Sequence, residues 1–275
     1  MKRVALPTLH KKGDQIIPAF RGVTDFDIKE VTIDTDAFGT FSGETPRTLS
    51  PLDTAIAKAK EALAITGWEG AIASEGSIGS DPLVPFVTSD REVIVYLDGS
   101  DGTVIHESYQ SFEIIAARIE LKPDEALEPF LNEADFPRHG LIVSAAKGDG
   151  RFIVKGLTDR ASLDRAIDQA FSLTTVSHIV IESDLRAHLS PSRQVNIARA
   201  AERLAARIQR CCPLCASPGW GVVDYERGVE CGECGNIDHR IAAREINGCV
   251  RCDHRASGAL LRERIEAAEC ERCNP

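Results

Sequence analysis

Four Cys-x-x-Cys pairs crowd the C-terminal part of this chain: "CPLC" (Cys212, Cys215), "CGEC" (Cys231, Cys234), "CVRC" (Cys249, Cys252) and "CERC" (Cys270, Cys273). Two residues between cysteines turn both sulfurs of a tight knuckle toward one ion, and two knuckles complete a tetrahedron of thiolates. Eight thiolates in this pattern predict two structural zinc ions. The 15 residues between the first two knuckles and the 17 between the last two suit a zinc ribbon. The expected pairing therefore follows sequence order, Cys212/Cys215/Cys231/Cys234 and Cys249/Cys252/Cys270/Cys273, with an interleaved cross-brace as the alternative. Redox pairs do not fit, because four of them in one short segment would serve no common chemistry. Cys211 is left over and is expected as a free thiol.

All nine cysteines follow residue 210, which sets a domain boundary: residues 1–210 and a double zinc ribbon over 211–275. So short a segment has little core of its own, and metal binding must provide most of its folding energy. It carries eight Arg against eleven acidic residues, a net −3, and eight thiolates with two Zn²⁺ add a further −4. The basic footprint of a nucleic-acid binder is missing, so general DNA binding is not expected. The ribbons are expected to brace the first domain or to present a surface to a protein partner.

The whole chain has 275 residues, 43% of them hydrophobic, enough for a real core, and a formal charge of −10 that disfavours nucleic-acid or anionic-membrane surfaces. Pro7 and His10 break the apolar start long before a signal-peptide core forms, and no run approaches a membrane span, so a cytoplasmic location without membrane association is expected. In the first 210 residues "VALPT", "EVTI", "GAIAS", "EVIVYL", "FEIIAARI", "GLIVSA", "FIVKG" and "HIVIES" read as strands alternating with helical patterns, which predicts an α/β domain with a layered mixed sheet. "SPLDTAIAKAKEALAITG" has Ser50 to cap, Pro51 at the first helical position, Gly67 at the end, and Ile56, Ala59 and Leu63 as the inward stripe, leaving Lys58 off it. "SPSRQVNIARAAERLAARIQR" repeats the Ser-Pro opening, with Ile197, Ala201, Leu204 and Ile208 inward and Arg199, Arg203 and Arg207 as a solvated row.

Two resemblances follow from short motifs. "CPLCASPGWG", "CERCNP", "DTDAFGTFSGE", "ASEGSIG" and "DLRAHLSPSR" resemble, nearly end to end, a bacterial family classed as domain of unknown function 6671. Where that family usually has Thr, Met and Asn, this chain has Ser183, Leu185 and Ser190. The first 175 or so residues also resemble nucleoside-triphosphate pyrophosphatases that remove noncanonical purine nucleotides. "PTLHKKGDQI" stands where those enzymes turn from a strand into a helix, with Thr8, then His10 in the place of Asn, then Lys11 or Lys12 as the lysine. Glu44, Lys58-Ala59 and Glu75-Gly76 follow in the same order.

Cleaving a phosphoanhydride needs a hard cation held by oxygens, cations on the phosphates and a positioned water. Asp34, Asp36, Glu44 and Glu75 are candidate ligands for Mg²⁺ or Mn²⁺, with Glu44 and Glu75 as the catalytic pair. Thr8, His10, Lys11, Lys12, Arg47 and Lys58 are candidate substrate contacts. Asp184, Arg186 and Arg193 join them, since they follow the strand "HIVIES", where α/β sheets place ligands. Glu75 is expected at a strand tip, facing Glu44 across a cleft, with Gly76 and Gly79 leaving the backbone bare for a phosphate. The expected function is a metal-dependent phosphohydrolase, such as a nucleotide pyrophosphatase, or a nucleotide-binding enzyme; the rival is an adaptor whose ribbons dock on a protein or RNA.

Overall fold

A computed structural model describes residues 1–34, 48–147, 150–173 and 177–275, and divides the chain into two compact units, Met1–Gly102 with His106–Leu204, and Thr103–Ile105 with Ala205–Pro275. The described residues form a mixed α/β first unit and a small second unit built around the cysteines.

The first unit begins with β1 (Lys2–Pro7), α1 (Gly13–Phe20), β2 (Phe26–Val31), α2 (Pro51–Thr66), β3 (Gly70–Ser80), β4 (Thr88–Asp98) and β5 (Val104–Ser111). These strands form a sheet of order β2-β1-β3-β4-β5, with β1 parallel to both neighbours and β3 antiparallel to β4. Val4, Ala5 and Leu6 are all buried, as expected of a parallel strand covered on both faces. The chain leaves β1 for β2 on one side and returns to β3 on the other. The carboxyl end of β1 is therefore the switch point at which open α/β sheets bind ligands. β1 pairs with β3 only through Val4↔Gly70 and Ala5↔Ala71, so β3 and β4 run on as a two-stranded ribbon past the end of β1.

Helix α2 is built as its sequence predicts at both ends. Ser50 Oγ accepts the Asp53 amide at 3.1 Å, and Gly67 closes the helix in a left-handed conformation, donating to Leu63. Its inward stripe differs from the expected one. Thr54, Ala55, Lys58, Ala59 and Ala62 are buried, while Ile56 and Leu63 are only half-buried. The alanines let the helix lie close on the sheet, and Lys58 tolerates burial because a carboxylate waits for it on β3.

The second sheet, order β6-β9-β7-β8, is antiparallel and comes from β6 (Arg118–Leu121), β7 (Leu141–Lys147), β8 (Gly150–Leu157) and β9 (Ile179–Ser183). Helices α3 (Glu128–Glu133) and α4 (Arg160–Leu173) complete its core, in which Phe130, Leu131, Leu163 and Ala166 pack on Leu141, Val143, Ile179 and Ile181. Most of "FEIIAARI" is not strand. The amides of Ile115 and Ala117 are taken by the hydroxyls of Ser192 and Ser183, which end the ladder at Arg118.

Helix α5 (Pro191–Gln209) buries Ile197, Ala201 and Leu204 as expected. Its opening is not a copy of the α2 cap: the Ser190 hydroxyl has no partner among the described residues, and the Ser192 amide donates to His139 Nε2 at 3.2 Å instead. Nor is its Arg row uniformly solvated. Arg199 and Arg203 are exposed, but Arg207 is buried and donates from Nε to the Gly219 carbonyl at 3.0 Å.

The second unit is dominated by a long hairpin of β10 (Gly221–Cys231) and β11 (Ile237–Gly248), flanked by β12 (Arg255–Leu260) and β13 (Arg264–Ile265) in the order β12-β11-β10-β13. Around its second cysteine group, the buried cluster is only Val229, Cys231, Ile265 and Cys270. A core this small cannot offset the entropy of ordering the segment. Among the described residues, no helix is long and apolar enough to cross a membrane.

Candidate functional site

The cysteines assemble into two groups of four, Cys212/Cys215/Cys249/Cys252 and Cys231/Cys234/Cys270/Cys273, with the sulfurs of each group within 4.8 Å of one another. This is the interleaved pairing, and it corrects the sequence-order expectation. The hairpin is the reason. Gly221 at the start of β10 pairs with Gly248 at the end of β11, which brings the first and third knuckles to one end. The second knuckle forms the turn, and β13 beside Cys231 delivers the fourth to the same place. Sequence-order pairing would need Cys215 and Cys231 side by side, but the eleven residues of β10 at about 3.3 Å each hold the two ends on the order of 30 Å apart.

The sulfur separations test whether a metal fits. Cys212–Cys252 is 3.9 Å, Cys215–Cys249 3.6 Å, Cys231–Cys273 4.0 Å and Cys234–Cys270 3.7 Å. A tetrahedron with metal–sulfur bonds of about 2.3 Å has edges of about 3.8 Å. Each group can thus hold one metal ion. Cys211 is exposed, outside both groups, in an isolated bridge to Pro218.

The first unit gathers a different set of groups beyond the carboxyl end of β1. Thr8 Oγ1 accepts the amides of His10 and Lys12, at 3.1 and 3.4 Å, and Lys11 takes a left-handed φ of 51°, so the loop doubles back. That turn carries the Lys12 ammonium to the free edge of β3, where it donates to Ser74 Oγ at 3.0 Å and to the Ser74 carbonyl at 3.4 Å. The N-terminus of α1 is already occupied, since the Gly13 amide donates to Glu30 at 2.8 Å.

Two buried ion pairs flank Lys12 on opposite faces of the ribbon. On the α2 face, Lys58 meets Glu75 at 2.6 Å. On the other face, Arg193 of α5 meets Glu92 of β4 at 2.5 Å, with both side chains 1% exposed, and donates from Nη1 to the Leu185 carbonyl at 2.6 Å. The strand register explains this split, because Gly76 lies opposite Glu92 and Ile78 opposite Asp90, while Glu75 points to the far side. Asn196 donates to Asp90 at 2.8 Å, one helical turn beyond Arg193. Burial and the neighbouring Arg193 lower Lys12 to about 8, against the pull of Glu92 and Glu75.

His10 and His188 stack at the rim, with ring centroids 5.3 Å apart. Burial, then His188 and the nearby Lys12, Arg186 and Arg193, hold His10 down to about 4; burial and Arg186 also lower His188. Arg186 forks onto Asp184, with Nη2–Oδ2 at 2.5 Å and Nε–Oδ1 at 2.9 Å, and Asp184 also accepts the Gly156 amide at 3.0 Å. That pair fastens the segment after β9 to the end of β8.

Of the residues singled out from sequence, Thr8, His10, Lys12, Lys58, Glu75 and Arg193 come together, with Arg186 and exposed Lys11 near the histidines. Glu44, Arg47 and Asp36 lie outside the described residues. Glu75 is not at a strand tip: β3 continues to Ser80, and Glu75 is buried against Lys58. Gly76 is bare for a reason other than a ligand. A Cβ there would run into Arg193 Nη2 and Glu92 Oε1, so glycine makes room for the ion pair. Among the described residues, the only groups of three or more potential metal donors are the cysteine groups. Asp90, Glu92, Asn196 and His188 were not singled out from sequence. The alternating polar residues of "SDREV" were the available signal for the first two.

No curated protein matches the chain. A family model matches residues 58–275, a span holding Lys58, Glu75, Glu92, Arg193 and all eight grouped cysteines. The chain belongs to the family described as Domain of unknown function (DUF6671).

Proposed function

We propose that this protein is a metal-dependent, phosphate-binding enzyme acting on a nucleotide or a related phosphoanhydride, and that its two cysteine groups hold structural Zn²⁺. The observation that carries the reading is the convergence of Lys12, Lys58 and Arg193 at the switch point beyond β1, with Arg186, His10 and His188 beside them. Cations fixed by partners need no reorganisation when a phosphate arrives, which makes such a cluster effective against developing negative charge. Lys12 is the suited phosphate contact, since its other partners are neutral Ser74 atoms rather than a carboxylate. Mg²⁺ or Mn²⁺ would supply Lewis acidity at the phosphate, and Glu44 remains the candidate ligand from the resemblance to nucleotide pyrophosphatases. For the cysteine groups, four thiolates with edges near 3.8 Å favour zinc, and thiolate sites imply a reducing compartment such as the cytoplasm.

The test is calorimetric titration of the zinc-loaded protein with inorganic pyrophosphate and nucleoside triphosphates, with and without Mg²⁺ or Mn²⁺, alongside a hydrolysis panel. Binding that drops at least tenfold in Lys12→Met supports the reading. Absence of binding and turnover across the panel overturns it and leaves the ribbon adaptor as the working alternative.

A further inference from the structure

Asp90 and Glu92 stand two apart on β4, on the face that receives α5, and both are 0% exposed. Each carboxylate has one oxygen engaged, Asp90 Oδ2 by Asn196 Nδ2 and Glu92 Oε1 by Arg193 Nε. The other oxygens, Asp90 Oδ1 and Glu92 Oε2, are buried with no partner among the described residues. Two ionised carboxylates side by side, each keeping an unsatisfied oxygen away from water, form one of the costliest arrangements a core can hold. A proton on one of them removes one of the two buried charges and turns its free oxygen into a donor.

We propose that Asp90 and Glu92 hold a single proton between them as a carboxyl–carboxylate dyad, protonated on Asp90, which positions Glu92 against Arg193. The partners fix the asymmetry. Glu92 has the Arg193 guanidinium as its partner, whereas Asp90 has the neutral Asn196 amide. Burial first, then Glu92, raises Asp90 to about 7, against the opposing pull of Asn196, Arg193 and Lys12. Those are the groups that face it: Glu92 from its own strand, Arg193 and Asn196 from α5, and Lys12 from the β1–α1 loop. The dyad stands independently of the phosphate reading. If that reading also holds, the protonated dyad carries one negative charge against Lys12 and Arg193, so an excess positive charge is kept for an anion and disappears when the proton leaves.

The experiment compares zinc-loaded wild type with Asp90→Asn and Glu92→Gln. Asn has the shape of the neutral acid, and its amide can donate to Glu92. Asp90 has a folded pKa above its unfolded one, so its stabilisation is complete at low pH and is lost as pH rises toward 7. Between pH 4.5 and 7 the wild-type folding equilibrium should therefore fall about tenfold per pH unit relative to Asp90→Asn, then level off. His10, held below its usual value, contributes an opposite slope to both proteins, and the comparison removes it. Infrared spectra at pH 6 should show a protonated-carboxyl band in wild type that is missing from Asp90→Asn, with Glu92→Gln altering its frequency. A pH-independent difference between the two proteins overturns the dyad. So does absence of the band in wild type, which can be read even if the variants fail to fold. Mn²⁺ stabilisation of wild type that vanishes in both variants would make the pair a cation site and also overturn it.

Discussion

Glu75 has an ammonium 2.6 Å away and almost no contact with water, so changes there act on stability before they act on any chemistry. Glu75→Ala should cost about 3–5 kcal/mol, because it strands the Lys58 charge in the core, whereas the double replacement Lys58→Met with Glu75→Leu should recover most of the loss. Urea denaturation of the three proteins checks both. Gly76→Ala should cost about 1–3 kcal/mol by displacing the Arg193–Glu92 pair, with a much smaller penalty for Gly79→Ala, where a Cβ meets nothing. Lys12, lowered to about 8 from its ordinary 10.5, binds less proton folded than unfolded between those values, so its share of stability rises with pH there. Lys12→Met should remove that rise from the stability–pH curve. Lys12, Lys58 and Arg193 were legible in the sequence as candidate substrate contacts. Their pairings were not, because Glu92 reaches Arg193 across 101 positions through a register that no local pattern encodes.

The β10–β11 hairpin decides which sulfurs share an ion, and a pair of cysteine variants can read that decision. Replacing Cys212 and Cys249 together by Ser should leave one metal per chain by elemental analysis; sequence-order pairing would leave none, since the two would belong to different sites. The knuckles were plain in sequence, as spacing within each is a local matter. Their pairing is not local, because it depends on two strands of eleven and twelve residues whose hairpin sets which knuckles meet. The same contrast holds in the first unit. The α2 cap at Ser50 and stop at Gly67 depend on neighbouring residues and were readable. The burial of Lys58 depends on what β3 places beneath the helix, and was not.

Across the whole chain, order is maintained by different means in the two units. The first unit has two sheets with buried aliphatic cores, while the buried cluster around the second cysteine group of the second unit has only four residues, two of them cysteines of that group. Stripping the metals with a strong chelator should therefore abolish the structure of residues 205–275 while the first unit keeps a cooperative thermal transition, since thiolate–metal binding of about 10–16 kcal/mol is folding free energy for so small a segment. Circular dichroism melts before and after chelation, with re-addition of Zn²⁺, check this. The interleaving also has a bearing on how the segment is born. Knuckles leave the ribosome in order, and the second emerges well before the third, so an ion met early finds Cys212, Cys215, Cys231 and Cys234 as the nearest complete set. Closing that shorter loop costs less entropy than waiting for Cys249 and Cys252. A nascent chain in abundant metal is thereby offered the wrong tetrahedron first, and reaches the right one only by exchanging thiolates once β11 has been made.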